Sequence, residues 1–149
     1  MELQLFSDEN FMKEAIREAL KAQAEEEVPI GCVVVQNNRI IARAHNLTET
    51  LNDITAHAEM QAITAAANHV GGKYLNECTI YITLEPCLMC AGALRWAQVG
   101  RIVFGAYDKK YGFGKYIEKI THPKTQVLGG VMEETCSKIL SEFFKKKRR

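Results

Sequence analysis

CTIYITLEPCLMCAGALRWAQVGRIVFGA, Cys78 to Ala106, decides the reading of this chain. Its first seven residues, Cys78 to Leu84, form a β-branched run that reads as a buried strand. Pro86 suits a helix start, where its missing N–H has no partner to lose, and CLMCAGALRWAQ continues as a helix. RIVFGA, Arg101 to Ala106, returns to strand. A strand, a helix and a second strand in succession predict a parallel crossover, and such crossovers are right-handed.

Working outward, apolar residues recur at helical spacing from Asp8 to Glu26 (Phe11, Ala15, Ile16, Ala19, Leu20), with Ser7 or Asp8 available as the cap. VPIGCVVVQNNRIIARAHN reads as a hairpin with strands Ile30 to Gln36 and Arg39 to Ala44. Its turn is Asn37-Asn38, two residues that tolerate positive φ. Ala56 to Asn68 is alanine-rich and helical, ending before Gly71-Gly72. Tyr107 to Thr121 is irregular, KTQVLGGV holds a short strand, and Glu133 to Lys145 is a final amphipathic helix. A hairpin forces one antiparallel pair, so the sheet is mixed. Its strands alternate with helices, which predicts a sheet covered by helices.

No repeat, low-complexity block or linker interrupts the 149 residues, so residues 1–149 are read as one domain. No apolar run approaches the ~20 residues of a membrane helix. The acidic start MELQLFSDENF lacks the basic and apolar segments of an export signal, so a cytoplasmic location is expected and no membrane partner. Five cysteines, an odd number, argue against a disulfide framework there. The charge is uneven. KKKRR at the end carries 5 of the 19 Lys and Arg, leaving 14 basic against 18 acidic groups, a net of −4, in residues 1–144. A basic tail on an acidic body reads either as a solvated end or as a contact for a polyanion.

The chemistry centres on Cys87 and Cys90. Two thiols do not make a zinc site, and His57 is the best third ligand because it opens a helix and is followed two residues later by Glu59. A metal on His57, Cys87 and Cys90 lies between two helix N-termini, which favour anionic thiolates. Three protein ligands leave the fourth tetrahedral position open, the mark of a catalytic zinc. Glu59, beside the metal but not on it, is then free to move protons. A redox CxxC is the rival reading of the cysteines and leaves His57-Ala58-Glu59 unexplained; a closed structural zinc needs a fourth ligand such as His45 or Cys78, neither in a ligand-like motif.

H-x-E … P-C-x-x-C is the established signature of zinc nucleobase deaminases. With PIGCVVV, ARAHN, DITAHAEM, TLEPCLMCAGAL and GRIVFGAYD in this order, the chain resembles the cytidine deaminase-like superfamily. Within it the chain most resembles the bacterial tRNA-specific adenosine deaminases, the TadA family, from about Phe11 to the C-terminus. The resemblance implies a three-layer α/β/α sandwich around a mixed five-stranded sheet, one zinc per subunit and a homodimer. It implies hydrolysis of the wobble adenosine of a tRNA anticodon stem-loop to inosine. His57, Cys87 and Cys90 match the zinc ligands and Glu59 the proton shuttle. Asn46 and the backbone of Ala58 match contacts to the base, Asp108 a contact to the anticodon loop, and Phe143, Phe144 and the basic tail a helix that lies against RNA. Tyr107 stands where some members carry arginine, and Tyr111 to Ile120 departs from the family pattern.

Two other functions use the same residues. One is deamination of a free base or nucleoside (guanine, cytosine or cytidine), in a pocket closed by the C-terminal segment. The other is a noncatalytic RNA-binding subunit, against which an intact Glu59 counts. Interleaved aromatics and lysines from Tyr107 to Lys119 favour stacking and phosphate contacts with an unpaired loop.

Overall fold

The hairpin forms between β1 (Gly31–Gln36) and β2 (Arg39–His45), and Asn37 and Asn38 at its turn take φ of 51° and 61°. Both lie in the left-handed region that asparagine tolerates and that matches the twist of the flanking strands. The computed structural model describes residues 6–116 and 119–147; Ile117, Glu118 and the last two residues of the basic tail, Arg148 and Arg149, lie outside them. The remaining elements are α1 (Asp8–Ala24), α2 (Ala58–Val70), β3 (Thr79–Leu84), α3 (Leu88–Ala97), β4 (Arg101–Ala106), β5 (Gln126–Leu128) and α4 (Glu133–Lys147), with a short 3-10 turn at Phe113–Lys115. The sheet runs β2-β1-β3-β4-β5. Its β1/β2 and β1/β3 pairs are antiparallel, and its β3/β4 and β4/β5 pairs parallel.

Alternation along each strand divides the interior into two cores. Cys32, Val34, Ile80, Ile82, Ile102 and Phe104 pack on the alanine face of α2 and on Leu94 and Ala97 of α3. Val33, Val35, Tyr81 and Val103 pack on Phe11, Met12, Ala15 and Ile16 of α1 and on Cys136 of α4. Helices therefore cover both faces, giving the expected three layers. The first helix comes very close: a Cβ on Gly31 would overlap the Ala15 carbonyl and the Ala19 amide nitrogen of α1. Only glycine allows that approach.

Element ends differ by a residue or two from the periodicity. The first helix stops at Ala24 rather than Glu26, because Glu26 turns left-handed (φ 61°) and the Glu27 N–H reaches back to the Ala22 carbonyl (2.9 Å). The second starts at Ala58 rather than Ala56 and continues to Val70, where Gly71 (φ 75°) closes it by donating to Ala67. Final helix α4 takes in Lys146 and Lys147 of the basic tail.

The topology gathers the loops. Leu84 pairs with Ala106, so the chain leaves β3 and β4 side by side. Antiparallel β1 begins at that same end, where the Gly31 N–H donates to Thr83 Oγ1 (3.1 Å), and β2 ends there, with His45 opposite Gly31. The far end is closed by a charged clamp. Arg101 holds both carboxylate oxygens of Asp8 (2.7 and 2.6 Å), and the Tyr81 hydroxyl donates to one of them (2.8 Å). Arg101 is the main reason the Asp8 carboxyl sits below its usual range. A carboxyl lowered in the fold stabilises above its unfolded value and loses that contribution as pH falls through its folded one. Asp8→Asn is expected to cost about 1–2 kcal/mol at neutral pH, the partly exposed clamp lowering the usual value for charged hydrogen bonds. In thermal unfolding across pH, its deficit against wild type should shrink below the ordinary Asp value of 3.8.

Candidate active site

His57 is the N-cap of α2 and Cys87 the N-cap of α3, both with extended backbone (φ −69°, ψ 155° and φ −73°, ψ 173°) and neither using its side chain as a cap. Both side chains are thus left free at the positive ends of two helices. Cys90 follows in the first turn of α3, on its buried face. His57 Nδ1 lies 3.7 Å from Cys87 Sγ and 3.5 Å from Cys90 Sγ. One ligand atom from each of the three falls within 4.8 Å of the others. Tetrahedral zinc with Zn–S of about 2.3 Å and Zn–N of about 2.0 Å places ligand atoms roughly 3.5–3.8 Å apart. The donor set fits that ion. Among the described residues no other His, Cys, Asp or Glu group has such geometry. His45 is turned instead toward Glu25 (3.2 Å) and Glu18 (3.6 Å), and Cys78 is in the core. Neither closes the site.

The electrostatics follow from burial beside these groups. Cys90 donates to Cys87 and, with His57 also bonded to it, holds the Cys87 thiol down at about 4 despite desolvation. Its neighbour Cys90 is pushed far up by the same shared proton and by burial. Bonding to Cys87 raises His57. Glu59, 4% exposed in the first turn of α2, is raised to about 7, first by burial and then by the charge of Cys87.

His57, Glu59 and Cys87 line a cleft of about 920 Å³. Val28 and Ile30 supply an apolar side, Tyr107 to Tyr111 a polar aromatic wall, and Leu140 and Phe144 of α4 the outer rim. Asp108 lies in that wall. Its carboxylate accepts from the Lys110 and Tyr111 N–H groups, both at 3.0 Å, and so shapes the loop as well as facing the cleft. Asn46 is buried just past β2, with its side-chain amide 3.5 Å from Thr48 Oγ1, and is not among the cleft-lining residues. Ala58 is buried at the first position of α2, where a backbone N–H has no partner within the helix. The two phenylalanines part. Phe144 is 43% exposed and lines the cleft, whereas Phe143 is 8% exposed and stacks edge-on against it at 5.4 Å. Phe143 is held inside the body, so the RNA-facing role expected of both is open only to Phe144.

Two carboxylates were not legible from the pattern. Glu27 is fully buried and accepts from the Glu49 N–H (3.0 Å) and from the Thr50 N–H and hydroxyl (both 2.6 Å), holding the loop between Asn46 and His57. Burial pushes its carboxyl up, but these bonds together bring it below its usual value. Glu85, buried beside Cys87, accepts from the Asp108 N–H (3.0 Å) and the Gly114 N–H (2.8 Å). Its only trace in the sequence is the glycine pair Gly112 and Gly114.

An open three-ligand shelf of two thiolates and an imidazole, with a buried carboxylate beside it and a mixed sheet behind it, defines a class. The family described as the cytidine and deoxycytidylate deaminase zinc-binding region matches residues 6–106, and the chain belongs to it. Within that family it belongs with the tRNA-specific adenosine deaminases. It is 48% identical over 148 residues to the tRNA-specific adenosine deaminase of Bacillus subtilis (strain 168), covering 95% of this chain and 91% of that one. A solved structure from studies of A-to-I editing by tRNA:A34 deaminases at the wobble position of transfer RNA is 40% identical, with a TM-score of 0.82, covering 87% of this chain and 98% of that one. A guanine deaminase from Bacillus subtilis is more distant, 30% identical with a TM-score of 0.67 over 95% of this chain and 94% of that one.

Proposed function

We propose that this protein is a zinc-dependent hydrolase that converts the wobble adenosine of a tRNA anticodon to inosine, with His57, Cys87 and Cys90 holding one zinc per subunit. The observation that carries this reading is the three-ligand centre with Glu59 buried beside it, at the base of a cleft walled by Tyr107, Lys109, Lys110 and Tyr111. When bound, the zinc supplies Lewis-acid activation of a water, bringing its proton within reach near neutral pH.

Glu59 does the proton work. Its carboxylate takes the proton released as water adds to C6 of the adenine, and gives it to the departing exocyclic nitrogen. A C–O bond forms, the C6–N bond breaks, ammonia leaves, and the carboxylate is regenerated. Burial, which already favours the protonated acid, keeps that proton out of bulk solvent. Val28 and Ile30 offer an apolar face to the purine. The Ala58 N–H at the start of α2 supplies a polar contact to its edge, and the Asn46 amide, which sits outside the cleft lining beside Thr48, joins it only by turning toward the base. Anticodon bases are unpaired, so bringing one to the cleft costs at most a few kcal/mol. Tyr107 and Tyr111 offer stacking surfaces, Asp108 a contact to the loop, and Phe144 with the basic tail a contact to the RNA outside it.

The whole chain, 1–149, acts as one deaminase domain in the cytoplasm, as a homodimer. Exposed Leu88, Met89 and Trp96 (83% exposed) on α3 and exposed Leu51 and Ile54 before α2 support pairing through that layer. No helix among the described residues is long and apolar enough to cross a membrane.

The test is to give zinc-loaded protein an anticodon stem-loop carrying a wobble adenosine and, in parallel, free adenine, adenosine, guanine, cytosine and cytidine. Inosine in the stem-loop alone is the expected result. Turnover of a free base with the stem-loop untouched would keep the zinc chemistry and replace the substrate.

A further inference from the structure

Glu85 is outside the metal cluster but lines the cleft beside Cys87, its side chain is buried, and both of its oxygens are engaged by the loop that forms the cleft's aromatic wall. Oε1 accepts from the Asp108 N–H (3.0 Å) and Oε2 from the Gly114 N–H (2.8 Å). The wall is tied to the same segment elsewhere. The Glu85 N–H donates to the Ala106 carbonyl (2.8 Å), the Phe113 N–H donates to the Pro86 carbonyl (3.0 Å), and Cys87 bridges to Gly112. Within the loop, the Asp108 carbonyl accepts from the Gly112 N–H (2.9 Å) and its carboxylate from Lys110 and Tyr111. One carboxylate thus sets Asp108, and Asp108 sets Lys110 and Tyr111.

The glycines are the complement of that carboxylate. A Cβ on Gly114 would lie 2.5 Å from Glu85 Oε2, and one on Gly112 would overlap Oε1. The loop closes around Glu85 so tightly that no side chain fits on its inner edge. Glu85 stands two residues before Cys87, at the root of the helix that carries both thiols. Glu85 is the side chain among the ties that hold the loop in register with the metal shelf, beside the backbone contacts of Pro86 and Cys87.

Resting on the RNA reading above, we propose that Glu85 is a positioning residue for the polynucleotide: it holds the Tyr107–Gly114 wall at a fixed distance from the reaction centre, and so sets affinity for the anticodon loop without entering the chemistry. Glu85→Gln is the sharpest probe. The amide is isosteric, but one of its two ends donates, so either Asp108 or Gly114 faces a donor in place of an acceptor. An unmet buried N–H of this kind corresponds to about a tenfold loss. Gly114→Ala attacks the same contact from the loop side and leaves Glu85 in place, so it serves where the glutamine variant folds poorly.

The measurement is steady-state deamination of the stem-loop by wild type and both variants, with zinc content and Tm on the same samples. Expected are a KM raised about tenfold in both variants, kcat within about twofold of wild type, and zinc still near one per chain. An unchanged KM in both variants overturns the proposal. So does a fall in kcat and zinc content together at constant KM, which would make Glu85 a support for the metal shelf alone. If wild type itself leaves the stem-loop untouched, the RNA reading fails first, and this inference with it.

Discussion

Glu59→Ala is expected to leave a folded protein that holds its zinc and scarcely turns over. Glu59 is outside the cluster formed by His57, Cys87 and Cys90, so metal content should stay near one per chain. What disappears is the group that accepts the water's proton and delivers it to the leaving nitrogen. Positioned acid–base groups contribute about 10²–10⁴-fold, and one residue serving both transfers belongs at the upper end, so kcat should fall by about 10³-fold or more. KM should move far less, because the carboxylate is not needed to seat the base. Stability gives an independent check. Burial holds Glu59 up at about 7, which means the folded protein disfavours its charged form. Removing it should leave Tm unchanged or raised, the usual trade between a strained site and stability. Activity within tenfold of wild type would show that another group moves the proton.

Cys90→Ala is expected to abolish metal binding and activity together. The Cys90 thiol is fully buried and contributes one of three donors. Four-ligand protein zinc sites bind with roughly 10–16 kcal/mol, several kcal/mol for each ligand, so one lost thiolate weakens zinc by about a thousandfold or more. After dialysis the variant should contain almost no zinc, while wild type retains about one per chain. Zinc bound only to the folded state also stabilises it by mass action. Wild-type Tm should therefore drop on addition of a chelator, whereas that of Cys90→Ala should be indifferent to it. A variant that retained stoichiometric zinc would mean that the metal sits on a different donor set.

Most of this candidate site is legible in the sequence because the residues that could hold the metal are grouped locally. His57 and Glu59 are two apart, Cys87 and Cys90 three apart, and each pair opens a helix whose start the residues themselves mark. Strand and helix types followed from the β-branched run at Cys78 to Leu84 and from the alanine-rich segment at Ala56 to Asn68. Their ends did not follow as well, because Glu26 and Gly71 break helices through backbone conformations that periodicity does not carry.

Phe143 and Phe144 show the same limit on a helix. Adjacent aromatics look alike in sequence, but one turns into the core and the other onto the cleft, and only the packing of α4 on the sheet decides which. Glu27 and Glu85 are the clearest cases. Each resembles an ordinary surface acid in composition, and each is buried because a loop distant in sequence, Glu49 to Thr50 in one case and Asp108 to Gly114 in the other, brings backbone N–H groups to it. The residues alone pointed to His57, Cys87 and Cys90 as a candidate metal cluster, to Glu59 beside it and to the layered architecture, because those rest on short spacings and local periodicity. The tertiary structure alone decided which carboxylates hold the cleft's walls and which aromatic faces it, because those depend on contacts between segments that the chain order keeps apart.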